Sequence, residues 1–118
     1  MSNDSYSPFD LFGIECGQGW EKLYKPVIER INEINKTRTP EDQIIIDQIK
    51  EKFGTLRIYV SNAPKEIYDM IDEAEQRSQN VCEDCGFEHQ EHVRTGYVGK
   101  TGWIRTLCNK CRKKYETT

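Results

Sequence analysis

Apolar residues recur every three or four positions in two stretches of the chain, and this spacing predicts two amphipathic helices. The first stretch covers residues 20–34, with apolar positions at Trp20, Leu23, Tyr24, Val27, Ile31 and Ile34. Pro26 predicts that this helix is kinked or that a second helical segment starts there. The second stretch covers residues 62–80, with apolar positions at Ile67, Met70, Ile71 and Ala74. Pro64 suits the first turn of this helix.

Between the predicted helices, residues 44–61 read IIIDQIKEKFGTLRIYVS and alternate apolar with polar side chains, which predicts two strands. The dipeptide at positions 53–54 is the predicted turn. A two-residue turn there pairs Ile49 with Ile58 on the core face. A turn one residue longer would place Arg57 opposite Ile49 and bring a charge into the core pattern. The two-residue turn therefore sets the predicted register.

The same register places Lys50 directly opposite Arg57 on the other face of the hairpin. Like charges in this arrangement are mildly destabilising unless an anion or a carboxylate lies between them. One interpretation is that Glu73, Glu75 or an acidic residue of the first helix neutralises the pair. The other is that an anionic ligand binds there, with a phosphate accepting from Arg57 and a base stacked on Tyr59. The sequence leaves both interpretations open.

The composition limits the class of protein. A chain of 118 residues with 36% hydrophobic and 31% charged residues predicts one globular domain with a small appended module. No apolar run approaches the ~20 residues of a membrane span, and the start MSNDSYSPFD has no signal-peptide pattern. We therefore expect a cytoplasmic protein without a membrane partner. Thiols stay reduced in that compartment, so the five cysteines favour a metal over disulfides.

The formal net charge of −3 is unevenly distributed along the chain. Residues 1–80 carry ten Lys/Arg against fifteen Asp/Glu, whereas residues 81–118 carry seven against five. The C-terminal segment is therefore locally basic, although four thiolates around a divalent ion add about two negative charges. With this distribution of charge, the sequence gives little support to long-range electrostatic attraction of DNA by the protein.

Four of the cysteines form the most specific motif in the chain. They stand in two pairs, Cys82 and Cys85 in CEDC and Cys108 and Cys111 in CNKC, with twenty-two residues between the pairs. Two such turns facing each other make a tetrahedral site of four thiolates, and Gly86 suits the tight turn after the first pair. Zn²⁺ is the predicted cofactor, with an iron site or an unligated redox pair as the alternatives. Four protein thiolates leave no open position for substrate, so the predicted role is structural.

Three further residues of reactive type are predicted to have no catalytic role. His89 and His92, in FEHQEH, have no nuclease or protease motif beside them and are predicted to be solvated loop residues. Cys16, in ECGQGW, has no activating base beside it and is predicted to be a structural thiol. The sequence therefore predicts no catalytic residues and no enzymatic activity.

Five segments taken together point to a family. They are GW at residues 19–20, KEKFGTLRIY at 50–59, EAEQRS at 73–78, CEDCG at 82–86 and GWIRTLC at 102–108. In this order they resemble a family of small uncharacterised zinc-containing proteins of tailed bacteriophages, over most of the chain from Gly19 onward. The resemblance implies a phage accessory protein acting in the bacterial host cytoplasm, and it supplies no activity. Many relatives end the metal set with Cys-x2-His, whereas this chain has Cys111 and a longer segment between the pairs.

Three non-enzymatic functions fit these observations. The first is binding of an anionic, phosphate-bearing ligand of the nucleotide type, such as a nucleotide immune signal sequestered to counter host defence. The residues predicted to bind it are Lys50, Lys52, Arg57, Tyr59, Trp103 and Arg105. The second is a nucleic-acid-binding zinc ribbon, indicated by the cations interleaved with Trp103 and Tyr115 in GWIRTLCNKCRKKYE. The third is an adaptor that binds a host protein or inhibits a host enzyme.

The predicted fold is α+β: an antiparallel hairpin-based sheet packed by two helices, followed by a C-terminal zinc ribbon with four cysteine ligands. Residues 1–80 form the predicted core of helix, hairpin and helix, and residues 81–118 form the predicted ribbon module. A third strand is expected from the region around Tyr97 or Ile104. Trp103 and Ile104 are expected to dock the ribbon onto the core.

Overall fold

The computed structural model of the chain describes residues 13–100 and 102–116. The helices are α1 (Glu21–Asn35), α2 (Lys65–Arg77) and α3 (Asn109–Glu116), and the strands are β1 (Ile45–Lys52), β2 (Thr55–Ser61), β3 (Val93–Tyr97) and β4 (Ile104–Cys108). β1 pairs with β2 and β3 pairs with β4, which gives two antiparallel two-stranded sheets. The prediction of a mixed α and β fold, with the four cysteines close together in its C-terminal part, is confirmed. The assignment of that part as a zinc ribbon stays a prediction.

α1 buries the apolar stripe that the sequence predicts. Its buried side chains are Leu23, Tyr24, Val27, Ile28 and Ile31. Pro26 lies inside the helix on its exposed side, and the helix continues across it to Asn35. The expectation of a second segment starting at Pro26 is therefore wrong, because packing of the neighbouring apolar residues offsets the hydrogen bond that proline cannot donate.

No helix among the described residues is long and apolar enough to cross a membrane.

The pairing of β1 with β2 confirms the predicted register. Ile49 lies opposite Ile58, and Lys50 lies opposite Arg57. The two isoleucines are buried against the helices, whereas the two cations lie on the other face of the hairpin. The register was predictable because a slip of one residue would exchange the two faces.

The turn between β1 and β2 holds both of its residues in the left-handed region. The φ angles are 53° at Phe53 and 83° at Gly54. Two positive φ values are what a two-residue type I′ hairpin turn requires, and Asn or Gly is the usual first residue. Phenylalanine is a costly choice at this position because its Cβ crowds the backbone.

One residue of β1 is extra relative to β2. The register shifts between Ile46 and Gln48, so Asp47 forms a bulge. As a result Ile46 and Ile49 are both buried although they are three positions apart. The bulge keeps Ile46 and Ile49 on the core face, whereas Ile45 is 51% exposed.

Side chains from the end of α2 and the residue after it cover the edge of β2 that does not pair with β1. The Leu56 amide donates to the Ser78 hydroxyl at 3.1 Å, and the Ile58 amide donates to the Glu75 carboxylate at 3.0 Å. These bonds satisfy edge donors that would otherwise be exposed. Glu75, one of the residues expected to neutralise the cationic face, therefore has a structural role at the strand edge.

Glu15 supplies the additional strand pairing, on the free edge of β1. Its amide donates to the Ile49 carbonyl at 3.0 Å, and its carbonyl accepts from the Glu51 amide at 3.0 Å. Tyr97 and Ile104 instead pair with each other inside the β3–β4 hairpin. The strand expected in this region is therefore present, but it belongs to a separate sheet and does not extend the first.

Two clusters of buried side chains form the interior. The larger lies between α1, α2 and the first hairpin and ends at Val81. The smaller consists of Cys82, Val93, Val98, Leu107, Cys108 and Cys111. Half of its six members are cysteines, and so small a core needs additional stabilisation. The division into units 1–80 and 81–118 stays a prediction, and residues 1–12, 101 and 117–118 of those units lie outside the described residues.

Small polar contacts, rather than a large aromatic side chain, join the second hairpin to the first. The Thr106 hydroxyl donates to the Gly54 carbonyl, and the Thr106 carbonyl accepts from the Glu83 amide at 2.9 Å. Ile104 is half-buried beside this contact. Trp103 is 64% exposed, so the expectation that it docks the C-terminal part onto the core is wrong.

Candidate metal centre and aromatic groove

The structure brings the four predicted metal ligands together. The sulfur atoms of Cys82, Cys85, Cys108 and Cys111 all lie within 4.8 Å of one another. The sulfurs of Cys85 and Cys108 are 3.7 Å apart. A tetrahedral ion with metal–sulfur bonds of ~2.3 Å sets its ligands about 3.8 Å apart. The four cysteines therefore have a geometry that could hold a metal ion.

Each cysteine pair is shaped by its own backbone. The Gly86 amide donates to the Cys82 carbonyl at 2.9 Å, with a φ of 85° at Gly86 that closes the first turn. The second pair lies where β4 ends and α3 begins, so the Cys111 amide donates to the Cys108 sulfur at 3.4 Å. Both turns direct their sulfurs toward the same point.

The environment of the thiols differs within the cluster. Burial opposes ionisation of Cys108, but hydrogen bonds from the Cys111 amide and from the neighbouring thiols lower the pKa of Cys108 to about 7. Burial raises the pKa of Cys85 and of Cys111. The Cys108 thiol therefore ionises more readily than those of Cys85 and Cys111, and binding of a metal ion would release the protons that remain.

A buried ion-pair network holds the first cysteine turn in place. Glu83 lies in this turn and is 3% exposed. Its carboxylate accepts from the Gly17 amide at 2.9 Å and from the Arg105 guanidinium at 3.0 Å. Arg105 also donates to Asp84 at 2.7 Å and to the Tyr115 hydroxyl at 3.0 Å. Arg105, predicted to bind ligand, is therefore engaged in a contact that supports the metal centre.

Gly17 and Gly19 allow the N-terminal segment, residues 17–19, to lie directly on the first cysteine turn. The Gly19 amide donates to the Glu83 carbonyl at 2.6 Å. A Cβ added at Gly19 would overlap the Cys82 carbonyl oxygen, and one at Gly17 would lie 2.5 Å from the Glu83 carbonyl oxygen. The packing of Gly17 and Gly19 on the first cysteine turn was not predicted, because both glycines are far along the chain from the four clustered cysteines.

Three exposed aromatic rings line one open groove beside the metal centre. They are Phe53, Tyr97 and Trp103, which are 67%, 70% and 64% exposed. The groove has a volume of about 590 Å³, and Glu51, Glu83 and Arg105 also line it. Of these three rings, only Trp103 was predicted to bind a ligand; the roles of Phe53 and Tyr97 in the groove were not predicted. The sequence contained one indication of the groove: Phe53 is an aromatic residue in a turn position that usually holds Asn or Gly.

The cationic face of the first hairpin has no acidic partner within the part of the chain that the structure describes. No carboxylate of the described residues forms an ion pair with Lys50, Lys52 or Arg57. The Lys50 ammonium lies 6.0 Å from the centre of the Tyr59 ring, and the Lys52 ammonium lies 5.9 Å from that of Phe53. The expected neutralisation of Lys50 and Arg57 by a helix carboxylate is therefore not found among these residues.

The predicted ligand-binding residues do not form one pocket. Trp103 and Arg105 line the groove, whereas Lys52 does not line it and approaches it only through the Phe53 ring, 5.9 Å from the Lys52 ammonium. Arg57 instead lines a separate pocket of about 220 Å³ together with Asp72 and Glu75. No described cation forms an ion pair with Asp72 or Glu75, so their charges disfavour a phosphate there, whereas in the groove Glu83 is paired with Arg105.

A second group of potential ligands, His89, Glu91 and His92, has its ligand atoms within 4.8 Å of one another, but His89 is engaged in hydrogen bonds within the loop. Nδ1 of His89 accepts from the Glu91 amide at 3.0 Å and from the His92 amide at 3.2 Å. This pattern places the ring proton on Nε2, so neither nitrogen of His89 offers a lone pair to a metal. His92 is exposed and His89 is half-buried, in keeping with loop residues.

Cys16 is half-buried and stays protonated at neutral pH. Burial raises the pKa of the Cys16 thiol to about 12, with Glu83 and Glu51 adding to the effect. A raised pKa leaves almost no thiolate, which is the reactive form. The arrangement fits the predicted structural thiol and not a nucleophile.

We expect Cys16 to resist alkylation in the native protein. At pH 7.5, well below its pKa of about 12, the thiol is protonated, and a bound metal protects the other four sulfurs. Mass spectrometry after iodoacetamide treatment should therefore show almost no adduct on native protein and five adducts on unfolded, chelator-treated protein. Rapid single labelling of the native protein that disappears in Cys16→Ser would contradict this assignment.

Comparison with known proteins adds no relative. No model of a known protein family, no curated protein and no solved structure matches this chain. The resemblance to proteins of tailed bacteriophages therefore stays a prediction. Any assignment of function must come from the metal centre, the cationic face and the groove.

Proposed function

We propose that this protein is a non-enzymatic, zinc-stabilised module that binds a phosphate-bearing ligand of the nucleotide type in the aromatic groove. The observation that carries the proposal is the convergence of Phe53, Tyr97 and Trp103 on one open groove. Each ring leaves most of its surface in water, which costs stability unless something covers it. Aromatic faces at this exposure stack well on nucleobases.

Zinc is the metal that best suits the centre. Four thiolates in a tetrahedral arrangement favour Zn²⁺ or an iron site, and zinc is the usual occupant of structural CxxC pairs. With all four ligands from the protein, no position is open for a substrate or an activated water. The ion would therefore act by holding the first cysteine turn and the β3–β4 hairpin together.

The conformation of Phe53 supports a functional role for the groove. A non-glycine residue at positive φ costs on the order of 1 kcal/mol or more, and such residues cluster at functional sites. The Phe53 side chain gains little burial in return, since it is 67% exposed. Neither its backbone conformation nor its packing explains the choice of phenylalanine, so contact with a ligand is the better explanation.

The cations beside the groove suit the charge of such a ligand. Lys52 lies over the Phe53 ring, and Lys50 is the next residue along β1 that faces the same side. Neither lysine is engaged by a carboxylate of the described residues. A phosphate beside a stacked base could accept hydrogen bonds from them.

Binding without turnover would remove a nucleotide from solution. A phage accessory protein in the host cytoplasm could act in this way on a nucleotide immune signal. The resemblance to proteins of tailed bacteriophages motivates this role, and the aromatic groove supplies the means. The alternative is a protein-binding adaptor, because exposed aromatic residues are also typical of interface hot spots.

Replacing Trp103 is expected to weaken ligand binding while the fold is retained. Calorimetric titration of the zinc-loaded protein should use a panel of nucleoside monophosphates, cyclic dinucleotides and short oligonucleotides. Trp103→Ala should reduce affinity for the bound members at least about fivefold, because stacking contributes ~1–3 kcal/mol per base. The matched control is Tyr68→Ala, which removes a 45% exposed ring on α2 outside the groove. Absence of binding by every member, or equal binding by Trp103→Ala, would contradict the proposal.

A further inference from the structure

We infer that the ligand is single-stranded nucleic acid rather than a free nucleotide. This inference rests on the proposed use of the groove and adds the class of ligand. The first reason is the number of rings. Phe53, Tyr97 and Trp103 come from the β1–β2 turn, the end of β3 and the segment before β4, and each is more than 60% exposed. A mononucleotide has one base and would leave most of this aromatic surface in water, whereas successive bases of one strand can cover all three rings.

The second reason is the row of cations that leads away from the groove. Lys52 lies at the Phe53 end, and Lys50 follows two positions along β1, about 6.6 Å away at the rise of a β-strand. Arg57, opposite Lys50 on β2, shares a separate pocket with Asp72 and Glu75 and is not part of this row. A row of this kind matches the repeating phosphates of a chain better than one terminal phosphate.

The negative groups near this path are held in other contacts. Glu51 accepts from the Gly54 amide at 2.7 Å, and Glu83 is paired with Arg105. The Glu15 carboxylate accepts a hydrogen bond from the Gln48 side chain at 2.9 Å, and Glu15 lies beside Lys50 at the edge of β1. The Glu15 carboxylate therefore limits the row of cations at its far end. The path runs from Trp103 past Lys52 and ends near Lys50.

The form of the ligand follows from the rings and from the net charge. Stacking on side chains needs base faces that are not covered by neighbouring base pairs, so a duplex cannot use the three rings. The chain carries a net charge of −3, so bulk attraction to a duplex is also weak. A flexible single strand can meet both the groove and the row of cations.

Binding of oligothymidylates of increasing length tests this inference. With zinc-loaded full chain, fluorescence anisotropy should show affinity rising at least tenfold from the dinucleotide to the hexanucleotide and then levelling off. A 12-base-pair duplex, roughly one helical turn, should bind at least tenfold more weakly than the hexanucleotide. Thymidine monophosphate should compete poorly.

The salt dependence identifies the cations. Neutralising two phosphates of a single strand gives a slope of about −1.4 for log K against log salt. Lys50→Ala and Lys52→Ala should each reduce its magnitude by about 0.7, because each removes one phosphate contact. Lys25→Ala, which removes an exposed lysine of α1, should leave the slope unchanged.

The possible outcomes separate this inference from the proposed function. If a mononucleotide or cyclic dinucleotide binds as tightly as the hexanucleotide and needs Trp103, the nucleotide function stands and this inference is wrong. Tighter binding of the duplex than of the single strand also overturns the inference. If no nucleotide or oligonucleotide binds and a peptide occupies the groove instead, both the inference and the proposed function are wrong.

Discussion

Replacement of any one ligand cysteine by serine is expected to release the metal and unfold the C-terminal part of the protein. The variants are Cys82→Ser, Cys85→Ser, Cys108→Ser and Cys111→Ser. Structural zinc contributes on the order of 10 kcal/mol to the folding of small modules. The cluster around the centre has six buried members, three of them ligand cysteines, so little apolar packing remains without the metal.

Metal content and limited proteolysis measure this effect together. Each ligand variant should lose stoichiometric metal and become susceptible to cleavage after Val81, while the larger cluster around Trp20 stays protected. Cys16→Ser is the matched control, because Cys16 lies outside the group of four sulfurs, and it should keep both metal and resistance. A ligand variant that keeps its metal and its resistance would contradict the assignment of the site.

Replacement of Gly19 by alanine is expected to cost at least about 3 kcal/mol of folding free energy. The added Cβ would overlap the Cys82 carbonyl oxygen, which belongs to the backbone of the first cysteine turn and cannot move aside as a side chain can. The hydrogen bond from the Gly19 amide to the Glu83 carbonyl would also be displaced. The midpoint of urea unfolding measures the loss.

Gly96 provides the control for this substitution. Gly96 lies in β3, and a Cβ added there meets no atom within 4 Å. Gly96→Ala should leave stability unchanged or raise it by up to about 1 kcal/mol, because glycine is unfavourable inside a strand. Equal midpoints for Gly19→Ala and Gly96→Ala would show that the N-terminal segment does not lie on the cysteine turn as described.

The features that the sequence predicted correctly are those set by local pattern. The pairing of Ile49 with Ile58 follows from strand alternation and the length of the turn at Phe53. The convergence of the four cysteines follows from two CxxC spacings whose turns direct their sulfurs inward. Both depend on residues within a few positions of one another or on a fixed ligand geometry.

The features that the sequence did not reveal depend on contacts between distant segments. The Gly17 amide meets the Glu83 carboxylate across 66 positions of the chain, and no local pattern predicts that pairing. The same network engages Arg105, which looked like a free cation beside Trp103 in the sequence. Local patterns say which residues are charged or apolar, but burial and partners are decided by tertiary packing.

The groove is also a tertiary feature. Phe53 and Trp103 are fifty positions apart in the sequence and meet because the tip of the first hairpin packs on the second. The sequence predicted that Trp103 docks the C-terminal part onto the core, with ligand stacking as the competing role. Only its exposure of 64%, beside two other exposed rings, favours stacking.

Native mass spectrometry of the full chain mixed with an equimolar thymidine octanucleotide tests most directly whether a metal centre supports a binding groove. We expect one dominant species that contains one polypeptide, one zinc ion and one oligonucleotide. The Trp103→Ala chain should keep the zinc ion and lose the oligonucleotide. A folded wild-type chain without metal, or a metal-loaded chain that holds no oligonucleotide, would contradict the claim that zinc supports a groove for single-stranded nucleic acid.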